Sequence, residues 1–136
     1  MKKIVFIVLL LTGISQQGFS YMNELLSPQD SSMVYDFPEK MAHFPGAPDA
    51  MDLFIRKNLV YPANLKAAGV QGKVYVQFIV EKDGSLSNIT IRMSSKNADL
   101  DQEAINVIKK MPNWIPGSIK GKNVRVKQTI PITFSL

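Results

Sequence analysis

Few side chains in this chain could do covalent or metal chemistry. There is one histidine, His43, and no cysteine. A lone imidazole with neither a second histidine nor a thiolate cannot assemble the usual nitrogen–sulfur metal sites. His43 also lies among turn-forming residues, where a histidine is far more often structural or exposed than catalytic. Asp99, Asp101 and Glu103 are close enough to suggest a carboxylate site. They stand at the head of an apolar periodic run, however, and helix capping and the helix dipole account for them more simply. No Gly-rich phosphate loop, metal-ligand spacing or nucleophile elbow is present. The chain is therefore expected not to be an enzyme and to need neither metal nor cofactor.

Trp114, the sole tryptophan, sits between Pro112 and Pro116 in a rigid connection. Its expected place is over the core beneath a helix end, with an exposed partner-binding anchor as the alternative.

Alternation and helical spacing define the elements that hold these residues. Pro48 suits the first turn of a helix, Asp49 and Asp52 its positive end, and Arg56-Lys57 its closing turn. Tyr61-Pro62 opens a second short helix that Gly69 ends. Residues 73–81 form a strand with Val74, Val76, Phe78 and Val80 towards the core. Lys82-Asp83-Gly84-Ser85 is a hairpin turn. On the return strand, 86–94, Ile89, Ile91 and Met93 share a face; Leu86 is out of phase, which predicts a bulge near Ser87. Asp99 is the expected N-cap, with Gln102 as its reciprocal partner. Leu100, Ala104, Val107, Ile108 and Met111 then form one apolar stripe. Residues 124–136 read as a last strand whose parity only Gln128 breaks.

The resulting fold class is α+β. A split ββαβ unit gives a three-stranded antiparallel or mixed sheet of order 2-1-3, covered by one helix and preceded by one or two short helices. Pro131 stands in the middle of the last strand and has no N–H for a ladder, so this strand should lie at a sheet edge. An edge strand is a docking surface for another chain. The partner-facing candidates on it are Arg125, Lys127, Thr129, Pro131 and Thr133. Such an edge could also pair with itself, leaving a homodimer open.

Residues 1–20 have the basic, apolar and small-residue order of a secretory signal peptide, with cleavage after Ser20. The alternative is an inner-membrane anchor over residues 4–14, but that helix would span only about 16 Å of a roughly 30 Å hydrocarbon layer. A flexible lead-in is expected over 21–36 and an N-terminal extension with a short helix over 37–60, before the main domain at 61–136. Residues 61–136 carry eleven bases against five acids, a net +6. Export argues against nucleic acid as the partner and favours a solvated basic face.

Tyr61-Pro62, the run from Gly72 to Phe78, Asp83-Gly84, the run from Leu100 to Ala104, the run from Met111 to Gly117, Gly121-Lys122 and the run from Ile130 to Phe134 resemble the TonB C-terminal domain family. Phe44-Pro45-Gly46 and the helix after it resemble an extension found in many members. The resemblance implies a periplasmic module that couples an inner-membrane proton-motive complex to outer-membrane transporters. It also implies that a short extended segment of the transporter, the TonB box, adds as a strand beside the last strand. Asn58, Leu59 and Val60 would lie near the bound receptor. The chain shows neither the family's spanning helix with its Ser and His nor its long Pro-rich spacer. It is therefore expected to be a binding module, adaptor or auxiliary to an anchored transducer. A short anchored transducer and an envelope- or cell-wall-binding structural domain are the alternatives.

Overall fold

The computed structural model describes residues 32–136. The signal peptide, its cleavage site, the alternative anchor and the first part of the lead-in lie outside the described residues. In chain order the elements are β1 (Val34–Tyr35), α1 (Ala50–Asn58), α2 (Ala63–Ala67), β2 (Gly72–Val80), β3 (Leu86–Met93), α3 (Ala98–Lys109), β4 (Gly117–Ile119) and β5 (Lys122–Phe134). The sheet runs β1-β5-β2-β3, and β4 pairs with β5 off that path. The expected 2-1-3 unit is its β3-β2-β5 part, with α3 against β2 and β3.

Two strands were not expected. β1 lies within the stretch read as lead-in and pairs parallel to β5, Val34 with Arg125 and Tyr35 with Val126. β4 pairs antiparallel with β5 through Gly117 and Val124. Both are too short for alternation to show, and both owe their existence to β5 rather than to their own sequence. Between β1 and α1 the chain forms a strap. It is tied by backbone bridges from Lys40 to Ser118 and from His43 to Ile115.

The β2–β3 hairpin closes on Asp83-Gly84. The Asp83 carboxylate accepts from the Ser85 N–H at 2.9 Å and the Ser85 hydroxyl at 2.6 Å, the local bond that makes Asp a turn former. Gln77 opposes Thr90 and Ile79 opposes Ser87, so Asn88 and Ile89 together face one residue of β2. This is the bulge that Leu86 demanded. Asn88 takes φ +48°, a region asparagine tolerates better than most residues. A second slip beside Arg92 turns Met93 out of the face it was assigned to, and it is exposed.

Helix α3 is capped by Asn97, not Asp99. The Asn97 side-chain oxygen accepts from the N–H groups of Asp99 at 3.0 Å and Leu100 at 3.1 Å. Asp101 instead binds the end of β3, accepting from the hydroxyl of Ser94 and from Ser95 through its N–H at 2.9 Å and its hydroxyl at 2.7 Å. Burial alone would raise its pKa; these hydrogen bonds outweigh that and hold the carboxyl below its ordinary value.

The buried face of α3 is Leu100, Ala104, Val107 and Ile108. It meets Val74, Val76, Phe78 and Val80 from β2, which share one core with Val124, Val126, Ile130, Ile132 and Phe134 from β5. Ile108→Ala is expected to cost about 2–5 kcal/mol in urea unfolding, because a fully buried side chain leaves a cavity. An unchanged unfolding midpoint would contradict this packing.

Candidate functional site

The last strand is the longest in the fold, and its register shows which way it faces. It pairs with β2 without a slip from Gly72 opposite Phe134 to Val80 opposite Val126. From Val124 on, even-numbered residues point into the core, including the half-buried Gln128; Lys127, Thr129, Pro131 and Thr133 are exposed. Opposed residues of an antiparallel pair alternate between bonded and non-bonded positions. Pro131 opposes Tyr75 and has no N–H to give. The odd residues therefore make the non-bonded pairs and turn their N–H and C=O groups away from β2.

On that outer side β1 covers Arg125 and Val126 and then leaves. Lys127 marks the boundary. Beyond it, no backbone bond to the outer groups of Thr129, Pro131 and Thr133 is formed among the described residues. These positions span about 13 Å of open ladder at the usual rise per residue.

The strand candidates do not all stand free. Arg125 is drawn into the fold: its Nε donates to Glu81 at 2.7 Å, its second amino group to the same carboxylate at 3.1 Å, and its third nitrogen to the Ser32 carbonyl at 3.1 Å. Lys127 pairs with Asp36 at 3.2 Å, an exposed contact worth about 0–1 kcal/mol. Thr129, Pro131 and Thr133 remain open. Asn58 ends α1, donating its amide to the Phe54 carbonyl at 2.8 Å. Leu59 is half-buried and Val60 exposed. The next residue, Tyr61, stacks edge-on against Phe134 with centroids 5.5 Å apart, which ties the 58–60 segment to the end of β5.

Arg125 is the first cause of a lowered Glu81 pKa; partial burial opposes it and the Ser87 hydroxyl adds to it. Because the folded value is depressed, the pair's stabilisation is fully present above the unfolded value near 4.5 and is lost as pH falls through the folded one. Glu81→Gln is therefore expected to be less stable than the parent at neutral pH. Its deficit should vanish in acid when urea unfolding is followed as a function of pH.

Sequence reasoning missed the strap's part in this edge. Phe37, 91% exposed, and Met41, 43% exposed, line with Asp36 a cavity of about 490 Å³ along Lys127, Gln128 and Thr129. A second cavity of about 300 Å³ lies on the inward side, lined by Ala42, Phe44, Pro48, Met51, Trp114 and Ile130 among others, and again by Gln128. The only hint was that Gln128 broke the alternation.

Trp114 is 3% exposed. Its ring meets Phe78 at 5.2 Å and Phe44 at 6.0 Å, both edge-on. It is part of the core, as its expected place under the helix end requires. His43 is exposed and takes part through its backbone. Among the described residues no group of His, Cys, Asp or Glu is arranged to hold a metal, and no helix is long and apolar enough to cross a membrane.

An α+β module with one covering helix and an open edge on its last strand is the class of protein these observations define. The family model for the Gram-negative bacterial TonB protein C-terminal matches residues 57–136, and the chain belongs to that family. It is 30% identical over 76 residues to the TonB proteins of two Xanthomonas campestris pv. campestris strains, covering 56% of this chain and 34% of each relative. It thus spans about a third of the length of those relatives. Its fold is similar to the solution structure of the Helicobacter pylori TonB C-terminal domain, with TM-score 0.51, 25% identity, and coverage of 68% of this chain and 86% of that one. The family is non-enzymatic, one of energy transduction and transport.

Proposed function

We propose that this chain is a periplasmic protein-binding module that takes an extended segment of an outer-membrane transporter, of TonB-box type, as an added strand along β5. The observation that carries this reading is the outer edge from Thr129 to Thr133, whose backbone groups have no partner among the described residues. Backbone bonds of this kind give affinity with little demand on sequence, and alternate side chains supply the choice of partner. The net +6 of residues 61–136 favours a segment with acidic flanks and speeds its encounter. The N-terminal signal-like sequence supports export. An inner-membrane transducer complex would supply the energy that a module of this kind passes on.

The test is photo-crosslinking in cells from a reactive residue placed at Thr129 or Thr133, with Glu103 on α3 as the control position. The expected product from the two strand positions is an outer-membrane transporter, absent from the control. Crosslinks only to a second copy of the chain, or only to the cell wall, would overturn the reading in favour of a dimer edge or a structural envelope domain.

A further inference from the structure

The inward cavity beside β5 is walled in part by two residues whose side chains hold a donor and an acceptor that the fold leaves unused. Trp114 Nε1 and Gln128 Oε1 are both buried and have no hydrogen-bond partner, and both residues line that cavity. The rest of its wall is mainly apolar, with Phe44, Pro48, Met51 and Ile130. A buried polar group without a partner is costly, and so is rare unless something else satisfies it. Both groups adjoin the open edge, because Gln128 and Ile130 are the inward residues on either side of Thr129.

A strand added to that edge would lie about 4.8 Å from β5, and every second side chain would point inwards beside Gln128 and Ile130. Resting on the strand-docking reading above, we propose that the cavity is a specificity subsite for one inward side chain of the docked segment. That side chain has an apolar stem and a neutral end that both accepts and donates: a carboxamide or a hydroxyl. It accepts from Trp114 Nε1–H and donates to Gln128 Oε1. A carboxylate could only accept and an ammonium only donate, so either would leave one of the two groups unpaired, and His43 is the single titratable side chain among the lining residues. A purely apolar side chain would fill the space and leave both groups unpaired.

The strap that walls this subsite, Ala42 to Met51, precedes the family-matched residues 57–136. The subsite can therefore differ between chains whose docking edges are alike.

The experiment is selection of a displayed library of randomised nine-residue segments on the full chain, on Ala47→Trp and on Thr129→Pro. Ala47 is exposed and lines the cavity, so a tryptophan there fills it without disturbing the core; circular dichroism checks the fold of each variant. Parent-chain selection is expected to enrich segments with one position fixed as Gln, Asn, Ser, Thr or Tyr. On Ala47→Trp, binding should persist while that position shifts to Gly or Ala, with at least a tenfold loss for the parent's best segment. On folded Thr129→Pro nothing should be enriched. The same preferred residue on parent and Ala47→Trp would overturn the subsite and leave edge docking standing. A fixed position occupied by Leu, Ile or a charged residue would do the same. Undiminished enrichment on Thr129→Pro, or none on the parent, would overturn edge docking and the subsite with it.

Discussion

Gly84→Ala is expected to destabilise the fold by about 3 kcal/mol or more, among the largest effects of any single methyl group in this chain. Two causes act together. Gly84 has φ +88°, where a side chain costs about 1–2 kcal/mol. A Cβ there would also lie 2.1 Å from the Trp114 carbonyl oxygen, far inside contact distance. The clash cannot be relieved by a side-chain rotation, because the obstacle is backbone and is held in place. Trp114 N–H donates to the Gly84 carbonyl at 2.8 Å, and the Trp114 ring is wedged against Phe78 and Phe44. Moving Trp114 would therefore move the core. Gly121 separates the two causes: its φ is +77°, and a Cβ would meet nothing within 4 Å. Gly121→Ala should cost only the conformational part, about 1–2 kcal/mol. Thermal unfolding followed by circular dichroism should show Gly84→Ala lower in Tm by about 12 °C or more, given about 4–8 °C per kcal/mol for a domain near this size. Equal losses in the two variants would mean that the Gly84–Trp114 contact carries no weight.

That contact also shows what a sequence can and cannot reveal. Asp83-Gly84 was legible as a turn because the turn requires that backbone conformation locally. Nothing local says that the tip of the turn meets Trp114, thirty residues further on. The same division runs through the chain. Alternation from Val124 to Phe134 identified the strand and its buried face, but the edge position read from Pro131 holds only for the stretch from Thr129 to Thr133, because β1 and β4 pair along the earlier part of the strand. The stripe on α3 was legible for the same reason from Leu100 to Ile108, while Met111, counted in it, lies past the helix end and is half-buried. Its cap was not: Asn97 and Asp99 are both good capping residues, and the spacing of Asp99 to Gln102 favoured the wrong one. The deciding fact is tertiary, because Ser94 and Ser95 claim Asp101 and fix where the helix starts.

The open edge follows the same pattern. Thr129, Pro131 and Thr133 were legible as outward from parity alone. Arg125 was legible as outward too, but Glu81 lies across the sheet from it and the two-residue strand β1 covers its backbone. Neither is encoded near Arg125. Gln128 stood out as the one polar residue on an apolar face. Its meaning depends on the strap from Ala42 to Met51, whose path over the sheet is set by the bridges of Lys40 and His43 to the 115–118 segment.

Two neighbouring prolines give the sharpest test of which way the last strand faces. Ile130 opposes Val76 and is buried. By the parity that Pro131 imposes, its N–H points to β2 and belongs to the ladder. Ile130→Pro removes that donor, forces a ring against the neighbouring strand and empties a core position. The expected cost is about 5 kcal/mol or more, comparable to the whole stability of many domains. The variant should fail to show cooperative unfolding. Thr129 is one residue away and exposed. Its N–H points outwards, its extended backbone is compatible with proline at an edge, and Gln128 before it already has the extended conformation that a following proline prefers. Thr129→Pro should therefore keep near-parent stability in urea while losing the photo-crosslink to its partner from Thr133, because a second proline two residues from Pro131 removes one of the two outward N–H donors, Thr129 and Thr133, that the open ladder offers. Equal unfolding of both variants would show that the bonding parity of β5 is assigned the wrong way round. A folded Thr129→Pro that still crosslinks at full strength would show that the partner does not bind by pairing with this edge.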